Sequence, residues 1–452
     1  MTQDWNRFLS VEAKNRHPSV MKTVGGPDII SFGCGMPHSD CFPLKGLSIK
    51  YTTPDSNFKK TAIGSNEDDA NSKEGASEIY QMCQYMSASG TTYFKKWTHE
   101  HIEEFHKPAF RDWDCLIQSG ATLSFDQILR MICDPEIDTI LAEELTYPCF
   151  LESCKPLRLK VFGVKMDADG VDVNDLDMIL TNWYEDERTK KYRKPKFYYC
   201  MPFGQNPSGI TMTIQRKKDL LQICQKHDIL VVEDDPYFHL QLDPSAKNVP
   251  SLLKFDTDGR VLRIDSFSKM MMPGMRISVV TANNFFVKKL TMMNELSIHS
   301  AAAPSQLIVY MLMQEWRQQG FRQWIEYIQA NYRRRRDIIL DAFDKYLPKS
   351  LCSWNKPSSG MFLWIKLRLD KFPKLDRSED DSEWALELED LVYDQALKEK
   401  IYLTKGHWFM IDDMVMAGFR ATYASGEYED LYEGSRRLGI AIRHVHENLY
   451  EK

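Results

Sequence analysis

The sequence predicts an α/β protein. Its large domain carries a mainly parallel, seven-stranded sheet flanked by helices, and a smaller α+β domain completes the chain. Three observations lead there. Short apolar runs alternate with helix-period segments through the middle of the chain, the pattern left by parallel strands and their crossover helices. Turn-forming and capping residues punctuate these runs. The length of 452 residues exceeds one ordinary domain and suits two.

Composition supports a packed globular protein, with 43% hydrophobic and 27% charged residues. A net charge of -6 argues against general attraction to nucleic acid or anionic membrane. The ten cysteines form no CxxC pair, and the histidines lack metal spacing, so no metal site is expected. Cys115, Cys200 and Cys224 sit within apolar runs, where a thiol behaves as a small hydrophobe. The segment Met1 to Arg16 shows no basic stretch followed by an apolar one, and no apolar run approaches membrane-spanning length. The expected location is the cytoplasm.

The strands are expected at Cys115-Leu116-Ile117, Thr139 to Leu141, Val161 to Val164, Phe197 to Cys200, Ile229 to Val232, Val261 to Ile264 and Ile277 to Thr281. Between them the clearest helix runs from Thr213 to His227, with Leu220, Leu221, Ile223 and Cys224 on one face. A long helical pattern follows Ala303-Pro304 toward Leu347-Pro348, and Met361 to Ile365 reads as a strand. The basic run Arg333 to Arg336 reads as a solvated helix face. The polar stretch Thr52 to Ser77 reads as a loop or insertion, and Asp376 to Glu383 as another surface loop. The expected division is 1–77 as an N-terminal segment and insertion loop partly in the small domain, 78–320 as the large domain, and 321–452 as the small one.

Four motifs fall just beyond expected strands, where ligands of open α/β sheets collect. After Val261 to Ile264 comes Ser266-Phe267-Ser268-Lys269, then Pro273-Gly274-Met275-Arg276. A lysine there can condense with an aldehyde, while two hydroxyls and a guanidinium can grip a phosphate. The run Glu233-Asp234-Asp235-Pro236-Tyr237 places a carboxylate and a phenol three residues apart. Such a carboxylate keeps a pyridinium nitrogen protonated, and the phenol can bond a ring oxygen. Gln205-Asn206-Pro207-Ser208-Gly209 offers an amide for the same oxygen. Gly120-Ala121-Thr122 opens a helix whose free N–H groups suit a phosphate. Each motif alone is also an ordinary turn or cap; all four together suit one ligand.

In order and spacing these motifs resemble the fold-type-I pyridoxal-phosphate aminotransferases, the aspartate aminotransferase-like class. The likeness is strongest to the branch of kynurenine/2-aminoadipate and fungal aromatic aminotransferases, and it covers nearly the whole chain. Further carriers are Gly35-Met36-Pro37, Tyr85, Tyr147, Gly360-Met361-Phe362 and Phe419-Arg420-Ala421-Thr422-Tyr423-Ala424.

The resemblance implies pyridoxal 5'-phosphate held by Lys269 as a Schiff base, with Lys269, Asp234 and Tyr237 as catalytic residues. It implies ring contacts from Asp234, Tyr237, Asn206 and a stacked Tyr147. Phosphate contacts are implied from Gly120, Ala121, Thr122, Ser266, Ser268 and Arg276, joined by Tyr85 from a neighbouring subunit of a homodimer. Substrate contacts are implied from Arg420, Gly35, Met36 and Asn206. The implied reaction moves an amino group between an aromatic or 2-aminoadipate-like L-amino acid and a 2-oxo acid such as 2-oxoglutarate. Decarboxylation, elimination or carbon–carbon bond formation would use the same Schiff base. A non-catalytic regulator would need a DNA-binding domain for which the residues before Pro27 are too few. Departures from the family pattern gather on the substrate side, at Cys34 and Met36, Met86, and Lys405-Gly406-His407, and in the phosphate loop at Ala121-Thr122. Met36, Met86, Lys405 and His407 are expected to reshape the substrate pocket for a specialised role.

Overall fold

A computed structural model describes residues 4–19, 35–55, 57–64, 78–243, 249–375, 380–412 and 414–450. Strands β1 (Leu47–Thr52) and β2 (Phe58–Ile63) form an antiparallel hairpin. The main sheet then draws on β3 (Trp113–Gln118), β4 (Thr139–Glu143) and β5 (Lys160–Val164). After a small ribbon of β6 (Met166–Asp167) and β7 (Gly170–Val171), it continues with β8 (Phe197–Cys200), β9 (Leu230–Asp235), β10 (Val261–Ser266) and β11 (Ser278–Asn283). All seven expected strands are present, in the order β3-β11-β10-β9-β8-β4-β5.

Neighbours β5, β4, β8 and β9 pair in parallel, while β11 runs antiparallel to both β10 and β3. Strands β4, β8, β9 and β11 are buried along their whole lengths. This is why they read as continuous apolar runs rather than as alternating ones.

The chain divides into two compact units, 1–134 with 250–327 and 135–249 with 328–452. In the first unit, the helix Ala121–Ile132 buries Phe125, Ile128, Leu129 and Ile132, and Ser10 docks the N-terminal turn onto it through a 2.8 Å bond from its N–H to the Met131 carbonyl. In the second unit, β12 (Cys352–Trp354), β13 (Phe362–Leu367), β14 (Thr404–Lys405) and β15 (Gly418–Thr422) form an antiparallel sheet in the order β12-β13-β15-β14. The expected helix at Thr213 forms as Ile214–Lys226, with the Thr213 hydroxyl accepting from the Arg216 N–H. The long pattern after residue 303 forms Ala303–Tyr346, and its backbone leaves helical geometry at Arg317. Cys115, Cys200 and Cys224 are buried as free thiols. Among the described residues no helix is long and apolar enough to cross a membrane.

Three expectations are corrected. The stretch from Thr52 is not all loop, because residues 58–63 are strand β2; residues 65–77 lie outside the described residues. Its polar composition reflects an exposed hairpin, closed by Thr53 N–H to the Asn57 carbonyl at 3.0 Å and Asn57 Nδ2 to Asp55 at 2.6 Å. The acidic segment 376–383 is not all loop either. Residues 376–379 lie outside the described ones, but Asp380 accepts from the Glu383 N–H at 2.7 Å and caps the helix Asp381–Lys398. Carboxylates at a helix start complement its dipole, which the loop reading overlooked. The run Arg333 to Arg336 is only in part a solvated face, with Arg334 exposed and Arg335 half-exposed. Arg336 is buried, bonded to Asp243 at 2.7 Å and to the Pro357 carbonyl at 2.9 Å, while Arg333 donates to the Leu242 carbonyl at 2.6 Å. Local sequence could not show that an acidic partner stood 93 residues away.

Candidate active site

The second unit gathers one polar cluster. Strand β9 ends on three consecutive buried acids, Glu233, Asp234 and Asp235. The middle one, Asp234, accepts a 2.6 Å hydrogen bond from the phenol of Tyr199, which is fully buried on the neighbouring β8. Phe150 stacks on Tyr199 with centroids 3.7 Å apart and planes 7° apart, which fixes the phenol's direction. Burial, outweighing nearby Arg420, pushes the Tyr237 phenol well above its ordinary range, so it remains a protonated donor. Tyr147, which caps the helix Pro148–Cys154, is likewise raised by burial.

Arg420 lies on β15, directly opposite Trp364 of β13 and Thr404 of β14. Its guanidinium donates to Asn206 Oδ1 at 2.9 Å and to Thr404 Oγ1 at 3.2 Å. It also stands over the rings of Phe362 at 4.3 Å and Phe409 at 5.1 Å. Burial, partly offset by Tyr237 and Tyr147, lowers the Arg420 pKa, yet an arginine remains charged at any working pH. The result is a planar cation held from two sides by neutral acceptors. Such a fork can receive a carboxylate bidentately.

The first unit gathers a second cluster. Gly120, with φ +94°, precedes the helix Ala121–Ile132, and an added Cβ there would overlap the Arg276 guanidinium. Glycine therefore lets the guanidinium lie against the start of a helix, where N–H groups are unsatisfied. Arg276 donates to Ser268 Oγ at 3.5 Å, and Ser266 Oγ accepts from the Ser268 N–H at 3.2 Å. Three residues past the end of β10 lies Lys269, half-buried. Its turn is tied by Phe267 N–H to the Ile277 carbonyl at 3.1 Å and by Trp324 Nε1 to the Met270 carbonyl at 2.8 Å. Behind it, Arg263 holds Asp265 through two bonds of 2.9 and 2.6 Å. Burial would raise Asp265, but Arg263 and His106 outweigh it and hold this carboxyl far below the usual range.

Asp234, Tyr237, Tyr147, Asn206 and Arg420 thus belong to one group, and Gly120, Ala121, Thr122, Ser266, Ser268, Lys269 and Arg276 to stretches of the other unit. Tyr85 is 63% exposed with its ring 5.2 Å from His299, and Gly35 and Met36 are exposed as well. Gly33 and Cys34 lie outside the described residues. Lys405 and His407 turn to carboxylates of the helix Asp381–Lys398, at 2.6 Å from Asp390 and 2.5 Å from Glu389. Sequence reasoning missed Tyr199, Thr404 and the Arg263–Asp265 pair. Tyr199 and Thr404 were legible only through strand pairing. Arg263 and Asp265 stand two apart on one strand and so share a face, which was a usable signal.

The class is that of pyridoxal-phosphate enzymes acting on amino acids: the chain belongs to the family of class I and II aminotransferases, whose model matches residues 69–438. It is 33% identical to an aromatic amino acid aminotransferase of Schizosaccharomyces pombe, over 98% of each chain. It is 29% identical to the mitochondrial kynurenine/alpha-aminoadipate aminotransferase of Mus musculus, over 97% of this chain and 99% of that one. Among solved structures it resembles aminotransferase Aro8 from Candida albicans, with a TM-score of 0.89, 29% identity and 99% of both chains covered. The residues fit the family's cofactor. The cradle of Gly120 and Arg276 suits a phosphate, and the buried Asp234, steered by Tyr199, suits a ring nitrogen that must keep its proton.

Proposed function

We propose that this aminotransferase moves the amino group between an aromatic or 2-aminoadipate-like L-amino acid and a 2-oxo acid such as 2-oxoglutarate. The observation that carries the reading is Arg420, a half-buried guanidinium fixed by Asn206 and Thr404 and bordered by Phe362 and Phe409. Its fork suits the α-carboxylate common to both substrates, and the flanking rings suit an apolar or aromatic side chain. The names of the Schizosaccharomyces pombe and mouse relatives agree with that substrate range.

When bound, pyridoxal 5'-phosphate supplies an electron sink for the carbanion left at the substrate α-carbon. In the proposed arrangement, Lys269 Nζ would hold the cofactor and would serve as the base that moves the proton at the substrate α-carbon. Asp234 holds the ring nitrogen's proton, and Tyr199 keeps that carboxylate oriented. Tyr237 and Asn206 bond the ring oxygen, while Tyr147 covers a ring face. Ser266, Ser268, Arg276 and the N–H groups at Gly120, Ala121 and Thr122 bind the phosphate. Gly35 and Met36 border the substrate, and Met36, Met86, Lys405 and His407 adapt the pocket.

The exposed Tyr85 is proposed to reach the phosphate of a second copy, making the active unit a homodimer. A division into 1–77, 78–320 and 321–452 and a cytoplasmic location belong to the same reading; subcellular fractionation tests the latter. The deciding experiment is a single-turnover panel of donors on purified holoenzyme. Phenylalanine, tyrosine, kynurenine or 2-aminoadipate should convert the bound cofactor to its amino form at least tenfold faster than alanine or aspartate. Faster reaction with the small or short acidic donors would overturn the assignment.

A further inference from the structure

The second unit contains a cavity of about 570 Å³ that involves none of the residues assigned above to cofactor or substrate. That volume lies in the range of small-molecule sites. Its walls include the indoles of Trp354 and Trp364 and the thioethers of Met166, Met414 and Met416, surfaces suited to a flat apolar ring. Trp364 is 4% exposed, and its indole N–H has no hydrogen-bond partner among the described residues. A buried donor without an acceptor is costly, and a ligand oxygen would satisfy it.

The charged groups around the cavity are unevenly committed. Asp167 is paired with Arg216 at 2.8 Å, and Glu144 accepts from the Met166 N–H at 2.9 Å. Burial raises the Glu144 pKa, an effect that the Met166 N–H, Lys366 and Lys165 partly offset. Lys356 and Lys366 also line the cavity; they are exposed, and neither is within ion-pair distance of a carboxylate among the described residues. The Trp364 indole N–H and the ammonium groups of Lys356 and Lys366 are thus three donors on this cavity with no hydrogen-bond or ion-pair acceptor among the described residues.

We propose that this cavity is a second ligand site, taking a planar aromatic carboxylate that lacks an α-ammonium. The ring lies among the indoles and thioethers, an acceptor oxygen meets Trp364 Nε1, and the carboxylate is drawn to Lys356 and Lys366. An amino acid is disfavoured because its ammonium would face two like charges. The site adjoins the substrate clamp through the backbone. Trp364 is the direct strand partner of Arg420. Asn355 donates to the Ser208 carbonyl at 2.7 Å and accepts from the Trp364 N–H at 2.9 Å, joining that strand to the loop that carries Asn206. Occupancy is thereby placed to alter substrate affinity.

The test uses holoenzyme and 3-phenylpropionate, an aromatic carboxylate with neither an amino nor an oxo group. Isothermal titration is run on the wild type and on the double variant Lys356→Ser/Lys366→Ser. The variant should retain the visible absorbance of bound cofactor and a donor KM within about twofold of wild type, yet bind one fewer probe molecule per chain. Trp364→Phe, which keeps a ring and deletes the donor, should weaken that same site about tenfold. An equal number of probe molecules at equal affinity in wild type and double variant would overturn the proposal. This holds whether or not Arg420 also binds the probe, since only the difference between the two proteins is read.

Discussion

Replacing Tyr199 with Phe tests whether the acid at the end of β9 acts as a steered partner of the cofactor ring. The substitution removes one hydroxyl and leaves the ring, so the stack on Phe150, at 3.7 Å and 7°, is retained. What is lost is the 2.6 Å bond to Asp234, between two groups that are 0% and 3% exposed. A hydrogen bond to a charged acceptor contributes about 1.5–3 kcal/mol, and water cannot readily replace it at such burial. If that support is felt in full where the ring gathers charge, kcat/KM falls by roughly ten- to a hundredfold. The loss should appear in kcat/KM for good and poor donors alike, because Tyr199 is assigned to the ring and not to the substrate. Stopped-flow half-reactions with two donors, together with a cofactor-binding titration, separate the contributions. A change below twofold in both rate and cofactor affinity would refute the role given to the pair.

Lys269→Ala should leave a folded protein without detectable turnover, and retained turnover in the steady-state assay would contradict its assignment. Arg420→Ala should raise the donor KM and lower kcat/KM by about a hundredfold while cofactor stays bound, and Arg420→Lys should recover little because an ammonium cannot present a fork. Visible absorbance and donor titrations check both variants. Glu143 offers a pH test: burial, against bonds from Gln205 and the Met201 N–H, pushes its carboxyl up to about 8. An acid raised in the folded state binds more protons folded than unfolded, so its contribution worsens as pH rises from the unfolded value toward about 8. Between pH 6 and 8 it alone should cost about 2 kcal/mol of stability, and Glu143→Gln should remove that slope in denaturant melts.

Much of this fold was legible because its signals are local. Full burial of β4, β8, β9 and β11 leaves unbroken apolar runs, and Thr213 announces its helix through its own hydroxyl. Most residues proposed to bind cofactor were legible for a related reason, since Asp234 and Ser266 lie at the ends of their strands and Gly120, Tyr147, Asn206, Tyr237, Ser268 and Lys269 follow a strand end by a few positions. What escaped depends on partners distant in sequence. Tyr199 meets Asp234 across 35 positions, and Thr404 meets Arg420 only because β14 pairs with β15. Arg336 was misjudged on the same ground in part, since besides the adjacent Asp337 it pairs with Asp243, 93 positions away. The hairpin at residues 47–63 was legible in its first strand, where Leu47, Ile49 and Tyr51 alternate with Ser48, Lys50 and Thr52; its second strand, Phe58–Ile63, is mostly exposed and carries no such alternation.

The departures from the family pattern bear on how a substrate preference can change without harm to the chemistry. Lys405 and His407 do not stand as loose additions. Asp390 receives the Lys405 ammonium, and the fully buried Glu389 binds the His407 ring together with the N–H groups of Gly406, His407 and Gly418. Gly418 begins the strand that carries Arg420, and Gly406 follows the strand that carries Thr404. One carboxylate therefore ties the segment bearing the unusual residues to the strands of Arg420 and Thr404, the two arms of the proposed substrate clamp. A buried acid with this many donors is costly to leave half-satisfied, so change at 405 and 407 must respect Glu389. Side chains beyond that anchor, such as Trp408, which is 42% exposed, can vary without disturbing Glu389. Under the proposed role of Arg420, substrate preference can shift along this loop because the strand that carries the guanidinium is tied to Glu389.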